Sequence, residues 1–174
     1  MTNITKENLP DPSRLIVGLR DTGYNFNSAA ADIIDNSIAA DAENIHVRLE
    51  LKPNGAKFIY FGDDGSGMDE EGLFNAMRYG ADRRKNEKSL GKFGLGLKTA
   101  SSSVCRKISL ISRADPDTEL GKLTWDLEHV EKVNEWQMLT EEVEPDEESA
   151  FEDLCGETGA LVVCSKCDGF VNSN

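Results

Sequence analysis

Apolar and polar positions change their rhythm several times along the chain, and each change marks an element. Residues 27–42 (NSAAADIIDNSIAADA) place Ala and Ile at helical spacing behind Asn27 or Ser28, either of which can cap a helix. Residues 11–22 (DPSRLIVGLRDT) predict a shorter helix, with Asp11 as cap and Pro12 at its first position. The rhythm then drops to two. IHVRLEL (45–51) alternates strictly, putting Ile45, Val47, Leu49 and Leu51 on one side, the pattern of a half-buried strand. Asn54-Gly55 is a hairpin signal, and AKFIYFG (56–62) is the returning strand.

Beyond the hairpin, DEEGLFNAMR (69–78) predicts a helix despite Gly72. Residues 79–93 are polar, basic and bounded by glycine, which reads as a loop, and a helix is expected from about Gly94 to Val104. RKISLIS (106–112), GKLTWDL (121–127), EWQMLT (135–140) and GALVVCS (159–165) read as strands. Strands that follow one another without intervening helices favour antiparallel pairing. The expected class is α+β: a two-layer α/β sandwich, with a mixed, mostly antiparallel sheet and helices on one face. With 174 residues, the chain fits a single domain. It is compatible with a complete domain or with the front piece of a longer protein.

Composition narrows the class. Hydrophobic residues make up 39% and charged residues 29%, as in an ordinary globular protein. No run reaches the ~18–20 apolar residues that span a bilayer, and no secretory signal is visible at the start, so the expected compartment is cytoplasmic. The net charge of −13 disfavours direct contact with DNA or with an anionic membrane. Eight acidic residues fall within EEVEPDEESAFED (141–153), which reads as an acidic solvated loop. RRKNEK (83–88) is basic. Cys164 and Cys167 form a CxxC without a second pair or a paired histidine motif, so zinc is not expected and the thiols read as structural.

Candidate chemistry sits in three places. In the 27–42 helix, Asp32 and Asn36 are one turn apart on one face, in helix-interior positions that Asp and Asn disfavour. A carboxylate and an amide oxygen so placed can hold a water and a hard cation such as magnesium, although taken alone they also read as the polar outer face of a surface helix. In DDGSGM (63–68), Asp63 can accept a hydrogen bond from an exocyclic amine. Gly65 and Gly67 open backbone paths closed to other residues, and Met68 offers a soft apolar contact. In GKFGLGLK (91–98), three glycines open a helix whose free amides suit a phosphate chain, with Lys92 and Lys98 adding positive charge. The dinucleotide reading of those glycines fails, because no βαβ unit frames them, and the GxxxxGK[ST] phosphate loop is missing. The 79–93 loop lies between the second and third places and reads as a lid over a bound nucleotide.

Taken together, DIIDNSIAADA, DDGSGM and GKFGLGLKTAS resemble, in order and spacing, the N, G1 and G2 boxes of the GHKL ATPase superfamily. That superfamily includes the gyrase B subunit, the ninety-kilodalton heat-shock chaperone, the sensor histidine kinases and the MutL proteins. The resemblance covers about residues 10–165 and looks closest to the microrchidia-like or chaperone-like branch. It implies a Bergerat-type fold over residues 1–174, with ATP and Mg2+ as cofactors. It implies that Asn36 ligates magnesium, that Asp32 is the catalytic base, and that Asp35 supports the site while Ala40 borders it. Asp63 would bind the adenine amine beside Gly65, Gly67 and Met68. Gly91, Lys92, Phe93, Gly94, Leu95, Gly96, Leu97 and Lys98 would hold the phosphates. The implied activity is Mg-dependent ATP binding with slow hydrolysis, driving lid closure and an ATP-dependent homodimer. The alternatives are a non-hydrolysing regulatory module and a histidine kinase catalytic domain.

Two positions depart from the superfamily pattern. Asp32 stands where glutamate is usual, and one methylene fewer withdraws the carboxylate by about 1.5 Å. A displacement on that scale costs about 100-fold in rate. Ala160 in ETGALVV occupies the place of a threonine that helps bind adenine, with Thr158 nearby.

Overall fold

The computed structural model describes residues 10–20, 26–79, 102 and 104–168. Helix α1 spans Pro12–Arg20 and α2 spans Phe26–Ala39. The Asp11 carboxylate accepts the amide of Arg14 at 3.0 Å, which is the cap expected of an Asp ahead of a first-turn proline. Helix α3, Glu70–Met77, starts at Asp69, whose carboxylate accepts the amide of Gly72. The expected helix from Gly94 to Val104 falls almost wholly outside the described residues.

Six strands form one sheet: β1 (Ile45–Leu51), β2 (Lys57–Asp63), β3 (Cys105–Arg113), β4 (Gly121–Asp126), β5 (Leu139–Thr140) and β6 (Gly159–Cys167). Their order is β1-β2-β6-β3-β4-β5, and every neighbouring pair is antiparallel. β6, last in the chain, therefore enters the middle of the sheet between β2 and β3. One face of the sheet, through Ile59, Phe61, Ile108, Leu110 and Val162, packs under Ile16, Ala29, Ile33, Leu73 and Met77 of α1–α3. The α+β sandwich expected from the sequence is thus present.

Its second face is also covered, where helices had been expected on one face only. Pro145–Cys155 form a helix, α5, whose Ala150, Phe151 and Cys155 pack on Tyr60, Ile111, Leu161 and Val163. The acidic loop expected over 141–153 is therefore mostly helix. Pro145 opens the helix, and the Glu147 carboxylate accepts the Glu144 amide at 3.0 Å. Asp146, Glu147 and Glu148 lie in the first turn, where the helix dipole favours negative charge. The density of acidic residues hid an apolar stripe one turn apart.

A polar cluster fixes α5 to the sheet. Lys122 on β4, only 7% exposed, reaches Glu147 at 2.7 Å and Glu141 at 3.6 Å. Glu141 also accepts from Thr124 at 2.9 Å and from Lys107 at 3.1 Å. Thr124 in turn shares a 2.8 Å hydrogen bond with Ser109.

Two other expectations shift. Leu127–Val133 form helix α4, capped by Asp126 and ended by Asn134 in the left-handed region, and only Leu139–Thr140 of the expected 135–140 strand pair with the sheet. In LTWDL the alternation runs on through Asp126, which reads as a polar strand position but caps α4, so the periodicity conceals the join. In β1 the apolar side is the exposed one: Val47, Leu49 and Leu51 are exposed, while Arg48 and Glu50 are half-buried. β1 is an edge strand. Its Arg48 lies over the Tyr60 ring at 4.8 Å, and Glu50 accepts from the Tyr60 hydroxyl at 3.0 Å, so burial falls on the polar side.

Candidate functional site

Three strand ends and one helix converge on Asp63, the last residue of β2. Asp63 pairs with Ala160 on β6, and β6 pairs with β3 through Ser112 opposite Ala160 and Arg113 opposite Gly159. α2 crosses the same place. Its Ser37 and Ile33, four residues apart, both face the core. The Ser37 hydroxyl donates to Asp63 Oδ2 at 2.7 Å, and the Gly65 amide donates to Oδ1 at 3.1 Å. Asp63 is 6% exposed and Ser37 4%. Each carboxylate oxygen thus holds one donor and keeps lone-pair capacity for another. Such a group accepts a hydrogen bond from an amine and offers nothing to a carbonyl.

The loop after Asp63 is folded tightly by backbone contacts that leave no room for side chains. The Ser66 amide donates to the Ala40 carbonyl at 3.0 Å, tying the loop to the end of α2. A Cβ on Gly65 would fall 2.8 Å from that carbonyl oxygen. Gly67 lies in the left-handed region at φ 61. The Met68 amide donates to the Ser112 hydroxyl at 2.9 Å, and that hydroxyl donates to the Gly159 carbonyl at 2.6 Å. Thr158, just ahead of β6, lies against this loop, its hydroxyl 3.4 Å from the Gly65 carbonyl oxygen. Asp64 turns away from this group. It accepts the amides of Glu43 and Asn44 at 2.8 Å each, and these hydrogen bonds, that from the Asn44 backbone foremost, hold its carboxyl below the usual range.

The amide of Asn36 is oriented by its own helix. Its Nδ2 donates to the Asp32 carbonyl at 2.8 Å, which leaves Oδ1, a hard oxygen, as the side chain's acceptor. Asp32 and Asp35 are half-buried on α2. Among the described residues, neither carboxylate has a hydrogen bond or an ion pair. Also among the described residues, no cluster of three His, Cys, Asp or Glu could by itself hold a metal.

The structure therefore brings Asp63 and Gly65 against Ser37 and Ala40, beside Asn36 at the end of α2, while Gly67 and Met68 lie against Arg113 and Ser112 at the end of β3. Gly91, Lys92, Phe93, Gly94, Leu95, Gly96, Leu97 and Lys98 lie outside the described residues, as does the 79–93 loop apart from Tyr79. Ser37 and Ser112, which hold Asp63 and Met68, were not singled out from the sequence. The period that buries Ile33 also buries Ser37, and that signal could have found it. Cys167 of the CxxC is partly buried, and burial pushes its thiol up to about 12, so it carries no reactive thiolate.

A family model described as histidine kinase-, DNA gyrase B-, and HSP90-like ATPase matches residues 24–157. Among curated proteins, the chain is similar to "ATPase morc-1" of Caenorhabditis elegans, 33% identical over 88 residues, covering 51% of this chain and 10% of that protein. It is also similar to "ATPase MORC2" of Homo sapiens, 29% identical over 91 residues and covering 50% and 9% of the two chains. A plant relative, "Protein MICRORCHIDIA 6" of Arabidopsis thaliana, is 29% identical over 89 residues, covering 49% and 13%. The matched stretch spans about a tenth of the length of these relatives.

Proposed function

Because the chain belongs to the histidine kinase-, DNA gyrase B- and HSP90-like ATPase family, among its microrchidia-like members, we propose that it binds ATP with magnesium and hydrolyses it slowly. The observation that carries this reading is the buried Asp63 carboxylate, held by one donor on each oxygen and placed beside the turn of α2 that bears Asn36. An acceptor-only group in that position reads the exocyclic amine of adenine. Gly65 and Gly67 let the loop backbone close around the base, and Met68 supplies an apolar wall.

At the phosphate end, Asn36 Oδ1 would hold magnesium, which when bound neutralises phosphate charge. Asp32, one turn earlier, accepts a proton from the attacking water, with Asp35 and Ala40 bordering the pair. Gly91 to Lys98 would cradle the phosphates, and residues 79–93 would close over them. Closure would change a contact between two copies of the chain, the switch that turnover resets. A cytoplasmic setting without direct DNA contact belongs to the same proposal. Among the described residues, no helix is long and apolar enough to cross a membrane.

A second reading, ATP binding without appreciable turnover, is favoured by one observation. Asp32 is short, and no described hydrogen bond or ion pair fixes its carboxylate. Calorimetric titration with ATP and with a non-hydrolysable analogue, each with and without magnesium, tests both readings. Magnesium-dependent binding of both ligands is expected, and absence of binding in every arm defeats both. Phosphate release assayed alongside separates the two.

A further inference from the structure

We propose that Ser37 is a positioning residue for the nucleotide site: it aims the Asp63 carboxylate and couples it, through the rotational setting of α2, to Asn36. This rests on the ATP-binding reading above.

A serine inside a helix ordinarily turns its hydroxyl to the carbonyl four residues back. For Ser37 that carbonyl, on Ile33, lies at 3.5 Å, while Asp63 Oδ2 lies at 2.7 Å. The single hydroxyl proton is therefore committed to the carboxylate, as a short charge-assisted bond. With Gly65 on the other oxygen, the carboxylate plane is fixed at two points. Remove Ser37 Oγ and the plane is held at one point only. No other described side chain takes over. Ala160, directly across from Asp63, has no hydroxyl, and the Thr158 hydroxyl is turned to Gly65.

The same bond acts along α2. Neighbouring helical residues point roughly 100° apart, so fixing Ser37 against β2 fixes the direction in which Asn36 leaves the helix. Ser37 and Asp63 are both buried, and each lies on a regular element, which keeps the setting stiff. Recognition of the base and placement of the metal ligand thus share one hydrogen bond. Ser37 touches neither ligand in this account; it works through Asp63 and Asn36.

The test compares the whole chain with its Ser37→Ala and Ser37→Cys variants. Affinity is measured for ATP and for inosine triphosphate, which carries a carbonyl in place of the adenine amine, with and without magnesium. Ser37→Ala is expected to weaken ATP about tenfold, with inosine triphosphate unchanged, and to reduce the gain that magnesium brings. Ser37→Cys, with a weaker donor of similar size, is expected to fall between, and it stands in if Ser37→Ala does not fold. In an Asp63→Asn background, Ser37→Ala should cause no further change in the ATP to inosine triphosphate ratio. A Ser37 variant that keeps both the ratio and the magnesium gain, or that shifts the ratio equally in the Asp63→Asn background, overturns the role of Ser37 and leaves ATP binding standing. Failure of the unaltered chain to bind ATP overturns both.

Discussion

A Cβ on Gly67 would fall 2.0 Å from the carbonyl oxygen of Arg113. The loop after β2 is thus pressed against the end of β3 as closely as two backbones allow, and Gly67 adopts φ 61 to do it. Gly67→Ala is expected to destabilise the chain by more than the roughly 1–2 kcal/mol that a left-handed alanine costs, since the loop must also move away from Arg113. ATP binding should be lost with it. Gly55, also at positive φ but with nothing within 4 Å of its Cβ position, is the control. Gly55→Ala should show the backbone cost alone and keep ATP affinity, as read by thermal unfolding and calorimetry.

Asp63→Asn converts an acceptor-only group into one that presents a donor on one side. ATP affinity is expected to drop about 10- to 100-fold, with a smaller loss for inosine triphosphate, since a buried bond to a charged group is worth about 1.5–3 kcal/mol. Equal losses for the two nucleotides would show that Asp63 does not face the base.

Asp32→Asn keeps size and removes the base. Phosphate release should fall at least about 100-fold while ATP affinity stays within about twofold. Asn36→Ala should act on the other term, lowering affinity only when magnesium is present. Turnover by Asp32→Asn at the unaltered rate would assign the base elsewhere.

Lys122 joins α5 to β4 through Glu147 and Glu141. Truncation to alanine leaves the partly buried Glu147 carboxylate without its cation, while Glu141 keeps Lys107, so a loss of about 2–3 kcal/mol is expected in urea unfolding. Lys122→Met, which keeps the volume, should cost no more than the alanine. Nucleotide affinity should change little, because the cluster lies on the sheet face away from Asp63's loop.

Glu141 supplies a pH dependence whose sign is set by its neighbours. Burial alone would raise its carboxyl, but hydrogen bonds from Lys107 and Thr124 and the charges of Lys107 and Lys122 outweigh it, so the folded value lies below the ordinary 4.5. The unfolded chain then binds the proton more readily. The stability contributed by Glu141 is complete above pH 4.5 and is lost as pH falls through the lower folded value. The difference in unfolding free energy between the unaltered chain and Glu141→Gln should therefore shrink on acidification below pH 4.5. A difference that stays constant would remove this coupling.

Local chemistry determined much of this protein before any packing was known. Pro12 behind Asp11, the alternation leading to β2, Asn54-Gly55 and the Ala-Ile rhythm of α2 each act within a few residues, and the elements formed near where they placed them, although α2 runs Phe26–Ala39 and so takes Asn27 and Ser28, the expected caps, into the helix. The candidate site was legible for a similar reason. Asn36, Asp63, Gly65 and Gly67 are residue types that their positions in a helix or at a strand end would not otherwise favour. Tertiary structure decided what depends on neighbours distant in sequence. Val47, Leu49 and Leu51 alternate correctly yet are exposed, because β1 lies at the edge and its periodicity cannot say which side will be covered. The acidic run became α5 because the sheet offered Tyr60, Ile111 and Leu161 to its few apolar residues, and Lys122 to its carboxylates. Ser37 was one polar residue among several on α2 until the fold set Asp63 within 2.7 Å of it. A hydrogen bond across 26 residues depends on how a helix is rotated over a sheet, and that rotation is fixed by the whole core rather than by either residue.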